Sequence, residues 1–287
     1  MRKPKKASRP PLSLFSRQCA LLLWGVGLLW LAAVILYPVS IGLTRIAGAV
    51  LAGLLAAGGL ALAWRYRWVR WTLLLVYGIA AVFFALPGRS EYDRVALRLE
   101  IVRSLQRYEG VRYIWGGENF LGIDCSGLIR RGTIDGTFLY GVRTLNPLLA
   151  RKAVVFWWRD KSAREMGIGA GKTARKVIDE KSLLILNDKN LHPGDFAITS
   201  NGIHALAYLG DHLWLEADPE LGKVIRVNTA TPRNPWMNVP VSVLRWRFLE
   251  VPFRKDAAKD GVKKTGRFGS EIPLRASVAP CLRVNNG

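Results

Sequence analysis

Residues 110–131 read Gly110-Val-Arg-Tyr-Ile-Trp-Gly-Gly-Glu-Asn-Phe-Leu-Gly-Ile-Asp-Cys-Ser-Gly-Leu-Ile-Arg-Arg131. Glycines crowd the stretch before Cys125, and a short apolar periodic run follows it. This places Cys125 at the start of a helix, where free backbone N–H groups and the helix dipole favour a thiolate. A buried cysteine in a helix cap is the simpler reading for a cysteine standing alone. Upstream, residues 91–108 set Val95, Leu97, Leu99, Ile101, Val102 and Leu105 mostly on one face of an amphipathic helix leading into the domain.

Downstream, residues 192–217 read as consecutive strands. A Pro193-Gly-Asp turn leads into 195–200, Asn201-Gly202 turns into 203–208, and Gly210-Asp211 turns into 212–217. Lys223 to Val227 reads as the next strand. A three-residue loop at 209–211 sets His204 directly opposite Glu216, close enough for the carboxylate to orient the imidazole; a two-residue loop breaks that pairing. The order Cys125, His204, Glu216 suits thiol acyl transfer. The thiol attacks a carbonyl, His204 takes and returns the proton, and Glu216 fixes the tautomer. The Cys125 backbone N–H is a candidate oxyanion donor.

The other end of the chain is of a different kind. The 287 residues carry a formal charge of +21, but unevenly. Residues 1–89 hold 11 Lys/Arg and no acid, residues 90–252 hold 23 basic and 18 acidic residues, and residues 253–287 hold 8 and 3. The central segment is therefore an ordinary, mildly basic domain with no nucleic-acid signature. Cys19–Tyr37 and Ile46–Trp64 are each 19 residues without charge, and Trp71–Leu86 is 16. About 20 apolar residues cross a bilayer. The expectation is thus three transmembrane helices at 19–37, 46–64 and 68–86, the third extended by Trp68 and Val69 if Arg70 snorkels, with two spans as the competitor.

Six basic residues precede the first span, and Arg65, Arg67 and Arg70 separate the second from the third, whereas only Arg45 lies in the first connection. The positive-inside rule places the N-terminus in the cytoplasm and, with three spans, everything after residue 88 outside. Cys19 precedes its apolar run and so is no lipoprotein site. Ala49, Gly53 and Ala57 recur every four residues in the second span and are candidates for helix packing.

Together, Tyr113-Ile-Trp-Gly-Gly, Asp124-Cys-Ser-Gly, Pro193-Gly-Asp and Gly202-Ile-His-Ala-Leu-Ala-Tyr-Leu-Gly-Asp, in this order, resemble the NlpC-type papain-like cysteine peptidases of bacterial cell walls over roughly residues 95–230. The resemblance implies an α+β fold, a papain-like half-barrel of antiparallel strands packed on the nucleophile helix, here behind an all-α membrane anchor. It implies hydrolysis of peptidoglycan stem peptides, typically between D-glutamate and the following diamino acid, without a cofactor. By motif position Cys125 is the nucleophile, His204 the base and Glu216 the third polar residue. Tyr113 matches a tyrosine lining the site, and Asp124 and Ser126 match residues holding the polar end of the stem peptide.

Two features depart from that pattern. The third position is most often His, where this chain has Glu216, and the 79-residue interval from Cys125 to His204 is long. The extra length falls within 141–185, a basic stretch containing Phe156-Trp157-Trp158, and reads as a lid, a wall-binding loop or a membrane-facing loop.

Other signals are weaker. Gly167-Ile-Gly-Ala-Gly-Lys-Thr173 lacks the glycine that a phosphate-binding loop needs at Met166. His192 and His212 read as surface or structural residues, Asp195 as a turn cap, and Trp157-Trp158 as core or interface. The basic tail from 253 reads as disordered and solvated, Cys281 within it has no visible partner, and three Cys and three His give no metal spacing. The leading expectation is a peptidase in a bacterial cytoplasmic membrane with its domain outside, acting on peptidoglycan stems. Its expected partners are the lipid bilayer and an envelope protein complex. The alternatives are an acyltransferase or amidase acting on a lipid or another amide, and a non-catalytic peptidoglycan-binding scaffold.

Overall fold

The computed structural model describes residues 14–159, 163–168, 173–230 and 234–250. Most of the basic N-terminus, the tail from 253 with Cys281, and residues 169–172 of the phosphate-loop-like stretch lie outside the described residues. The described chain combines helices with an antiparallel sheet, and three apolar helices precede the mixed part.

Those three are α1 (Leu14–Leu36), α2 (Gly42–Ala63) and α3 (Arg67–Ala85). Each is long and apolar enough to cross a membrane. Helix α1 packs on α2 through Trp24, whose indole N–H donates to Leu55 O at 2.8 Å and whose ring covers Gly58 and Gly59. Val34 meets Gly48, and Leu55 meets Gly27. The small-residue stripe expected to mark this packing does not lie in it. Ala49 and Ala57 are exposed and nothing approaches Gly53, because the register of α1 turns the Gly48–Leu55–Gly59 side of α2 inward. Arg70 lies over the Trp64 and Trp71 rings, 4.9 and 5.5 Å from their centroids, as a cation at an apolar helix start should.

Helix α4 (Arg94–Gln106) begins at Asp93, whose carboxylate accepts from the Val95 and Ala96 N–H groups. Leu97, Ile101, Val102 and Leu105 are buried, but Val95 and Leu99 point out, so the apolar stripe is narrower than the sequence suggests. It packs on α5 (Cys125–Arg143) at a distance only glycine allows. A Cβ on Gly136 would lie 2.5 Å from Ile101 Cα, and one on Gly132 2.3 Å from Leu105 Cδ2. Between them a short hairpin, β1 (Glu118–Asn119) with β2 (Gly122–Ile123), leads directly into α5.

After α5 come α6 (Pro147–Trp158), α7 (Ala163–Ile168) and β3 (Ala174–Glu180), which account for most of the long interval. Then follow β4 (Phe196–Thr199), β5 (Ala205–Gly210), β6 (Leu213–Asp218), β7 (Lys223–Asn228) and β8 (Val241–Trp246). The sheet order is β3-β8-β4-β5-β6-β7, every pair antiparallel. Strand β3 therefore adds an edge strand to the sheet, and Phe156 of α6 packs edge-on against Trp246. One sheet face (Phe196, Ile198, Ala205, Ala207, Leu215, Leu244) packs on α4 and α5, with Cys125 in the same core. The other face carries Leu206, Tyr208, Trp214 and Val243 and is closed by Leu183, Leu186 and Met237.

The β5–β6 hairpin differs from the expectation. Its loop is Asp211-His212, both at positive φ (51° and 62°), the two-residue geometry that matches strand twist. A bulge between Tyr208 and Gly210 takes up the extra residue. Glu216 is consequently opposite Leu206, and His204 is two residues further along the same face.

Candidate active site

Cys125 is held at the first position of α5 by the residues before it. The Asp124 carboxylate accepts from Gly127 N at 2.6 Å, from Ser126 Oγ at 2.9 Å and from Gly116 N at 2.8 Å, so one acid caps the helix and pins the glycine loop. Asp124 N donates to Gly117 O, and a Cβ on Gly127 would lie 2.2 Å from that same oxygen. The glycines are needed for this approach. Asp124 and Ser126 thus spend their polar atoms largely on each other and on backbone.

The Cys125 sulfur rests against the start of β5. Its hydrogen bond goes to Ile203 O at 3.8 Å, and the Ala205 N–H also points at it. The thiol therefore meets backbone on both sides of His204, while among the described residues no hydrogen bond joins it to the imidazole. Burial, and behind it the Asp124 charge, pushes the thiol up to about 12, against the help of the N–H groups around it. Tyr113 lines the same space, and burial with the charges of Cys125 and Asp124 raises its phenol to about 12.

His204 is 2% exposed and Glu216 fully buried. Although not directly opposite, their side chains meet diagonally along the face, with Nε2 2.7 Å from Glu216 Oε2. A carboxylate at Nε2 makes that nitrogen the donor and leaves the lone pair on Nδ1. Burial raises the Glu216 carboxyl, and the His204 hydrogen bond opposes that shift.

Two further residues complete this end and were not read from the sequence. Asn234 donates through Nδ2 to Glu216 Oε1 and, at 3.2 Å, to Asp218 Oδ2. Trp236 stacks on the His204 ring with centroids 4.4 Å apart. The signal available was Asn-Pro-Trp itself, a capped turn in which Asn234 Oδ1 accepts from Trp236 N.

The remaining polar residues have other tasks. Asp195 is more than a turn cap. Fully buried, it accepts from His192 N and pairs with Arg245 at 2.6 Å and Arg98 at 3.4 Å. His192 is exposed, and His212 lies 3.2 Å from Asp188 at the surface. Trp157 is half-buried, with the Arg45 guanidinium 5.9 Å from its ring centroid and its carbonyl accepting from Arg45 Nη1 at 2.8 Å, whereas Trp158 is exposed.

A cleft of about 620 Å³ opens over Cys125. Tyr113, Trp115, Ser126 and Ile203 line it from the domain, and Val39, Ser40 and Ile41 line it from the connection between α1 and α2. That connection is fastened to the loop and hairpin before Cys125. Ser40 N donates to Gly116 O at 3.3 Å, Glu118 N to Pro38 O at 2.9 Å, and Val39 bridges Gly117. Arg45 of α2 reaches Glu118 Oε2 at 2.7 Å, and Arg130 of α5 reaches Glu118 Oε1 at 2.7 Å, all three side chains buried. The residue that the sequence presents as a lone charge between two spans is thus half of a buried ion pair.

No family model matches the chain, and no curated protein matches it. Among solved structures it is similar to NlpC1 from Trichomonas vaginalis, at 16% identity over 54% of this chain and 46% of that one, with a TM-score of 0.35. It is also similar to the P60 domain of the antigen MAP1204 from M. avium subspecies paratuberculosis, at 22% identity over 54% and 96%, with a TM-score of 0.33. A third is the peptidoglycan hydrolase RipB from Mycobacterium tuberculosis, at 22% identity over 58% and 74%, with a TM-score of 0.35. The chain spans about half the length of NlpC1 and of NlpC2 from T. vaginalis.

Proposed function

We propose that the chain is a membrane-anchored cysteine peptidase that hydrolyses amide bonds in peptidoglycan stem peptides, with the domain on the outer side of the cytoplasmic membrane. The observation that carries this reading is the buried 2.7 Å contact between His204 Nε2 and Glu216, at the strand end against which the Cys125 sulfur rests. Together with the ordered motifs around Tyr113, Asp124, Cys125 and His204, it supports Cys125 as nucleophile, His204 as base and Glu216 as orienting acid.

The chemistry follows from the tautomer. In this mechanism the Cys125 thiol leaves Ile203 O and gives its proton to Nδ1 of His204. The sulfur attacks the amide carbonyl, a C–S bond forms, and the oxyanion is held by the free N–H groups at the α5 start. The C–N bond then breaks and the amine leaves with the proton from His204. Water, deprotonated by the same imidazole, splits the thioester to acid and thiol. Glu216 stabilises the imidazolium in both halves without itself taking the proton. Tyr113, Asp124 and Ser126 are the candidate contacts to the stem.

The test is full-length chain in detergent micelles incubated with purified muropeptides, read by mass spectrometry beside Cys125→Ala. A new fragment that requires Cys125 is the expected result, and its mass identifies the bond. Equal turnover by Cys125→Ala would sink the mechanism. The thiol held high and bonded to Ile203 O favours a second reading, a binding module that does not turn over. A folded chain that binds muropeptides and yields no product would select it.

A further inference from the structure

The strongest unassigned feature is that the nucleophile's cleft is not built by the soluble domain alone. One wall is the five-residue stretch 37–41 between two helices that are long and apolar enough to span a bilayer. A connection this short between two spans lies at the membrane surface. The cleft therefore opens at that surface. Its rim agrees: Ile41, Trp115 and Ile203 are 50%, 77% and 58% exposed around an otherwise polar site. Large apolar side chains on the lip of a cleft serve a substrate that brings hydrocarbon with it.

A second space lies on the other side of the same wall. A groove of about 550 Å³, beside the Val34–Gly48 contact, is lined by Leu31, Val34 and Ile35 of α1 and by Gly48, Ala49 and Ala52 of α2. This is the end of the helix pair nearest the domain, and Val39, Ser40 and Glu118 border both the groove and the Cys125 cleft. The groove is apolar between the helices and polar at its domain end, where Arg45, Asn119 and Arg131 line it.

Resting on the hydrolase reading, we propose that the amide attacked by Cys125 belongs to a membrane-bound substrate. Its hydrocarbon chain lies between α1 and α2, and its peptide part crosses Val39-Ser40 into the cleft. The substrate class is a lipid-linked stem peptide rather than a soluble fragment. The anchor is then part of the substrate site as well as a tether.

The experiment uses the full chain in phosphatidylethanolamine–phosphatidylglycerol vesicles. A synthetic stem tetrapeptide is offered in soluble form and with its N-terminal amine palmitoylated. The palmitoylated form should be cleaved at least about tenfold faster. Ala49→Phe and Ala52→Phe, which fill the groove, should bring the ratio of the two rates toward one. Leu54→Phe, on the lipid-facing side of α2, should keep it. Equal rates for both peptides, or a ratio indifferent to groove filling, would overturn the lipid-linked substrate and leave the hydrolase standing. If neither peptide is cleaved, the hydrolase reading fails, and binding decides the groove separately. A diazirine in the palmitoyl chain should label α1 and α2 saturably, competed by the unlabelled palmitoylated peptide and not by phosphatidylglycerol. Unsaturable labelling would reject the groove.

Discussion

Glu118, the first residue of β1, and Glu216, within β6, are both buried glutamates, yet they are partnered in opposite ways. Glu118 faces two guanidinium groups, one from α2 and one from α5. Glu216 faces an imidazole and an amide. Guanidinium is always charged and holds a carboxylate in one geometry. Imidazole is a group whose proton position a carboxylate can select, and the amide beside it only donates. The first arrangement fixes where an element sits; the second fixes where a proton sits. The difference makes the two acids separable by experiment.

The largest effect should come from Glu216→Gln. Asn234 Nδ2 requires an acceptor, so the new amide oxygen turns to Asn234 and its NH₂ turns to His204. That places the ring proton on Nδ1, the wrong nitrogen for receiving the thiol's. Turnover should fall by about 10⁴, as expected for a wrong tautomer with intact geometry, while the melting temperature holds. A small loss of kcat would show that Glu216 is no more selective of proton position than Glu118.

Glu118→Ala should do the reverse. Breaking a buried pair costs about 3–5 kcal/mol, visible as a lowered Tm in micelles. Combining it with Arg45→Met should recover part of that loss, since an apolar side chain tolerates the site better than an unmatched cation. A Tm indifferent to Glu118 would remove the distinction from its other side.

The thiol supplies a third comparison. With its ordinary value at 9.0 raised to about 12, Cys125 in the folded chain should react with iodoacetamide about 10²–10³ times more slowly than a free thiol near neutral pH. The sign for stability follows. Below pH 9 the thiol is protonated whether folded or not, and nothing is lost. Between pH 9 and about 12 only the unfolded thiol ionises, so stability falls as pH rises. Cys125→Ala should remove that slope in alkaline unfolding curves. The smallest change should come from Asn234→Ala, which leaves a buried Glu216 oxygen short of a donor at about 1–3 kcal/mol, and it should appear in kcat more than in KM.

Much of this was legible because spacing carries it. The α5 start at Cys125 and the four strands from 196 to 228 follow from glycine placement and alternation. The His204–Glu216 contact was legible for a reason only half right. Both residues do share a face, but the two-residue Asp211-His212 turn and its bulge moved the register, and a long imidazole restored the contact diagonally. Strands β3 and β8 were not read, because Arg175, Lys176, Arg245 and their neighbours obscure the alternation; Arg245 turns inward to meet Asp195. Asn234, Trp236 and the Arg45–Glu118 pair were invisible for a common reason. Each joins residues far apart in sequence, and no local pattern reports a partner 73 positions away.

Asn119 has a consequence of a different kind. Its side-chain nitrogen lies 3.0–3.2 Å from the carbonyls of Ile35, Leu36 and Tyr37, at the very end of α1. The apolar window of α1, Arg17–Leu36, is 20 residues, about 30 Å, which matches a hydrocarbon core of about 30 Å, so a thinner bilayer would tilt the helix. Because Asn119 sits next to Glu118 and six residues before Cys125, that tilt would be passed to the hairpin that leads into α5. Bilayer thickness then acts on this chain as a mechanical input. Vesicles of longer or shorter acyl chains would change the angle of the first span and, through one asparagine, the shape of the cleft.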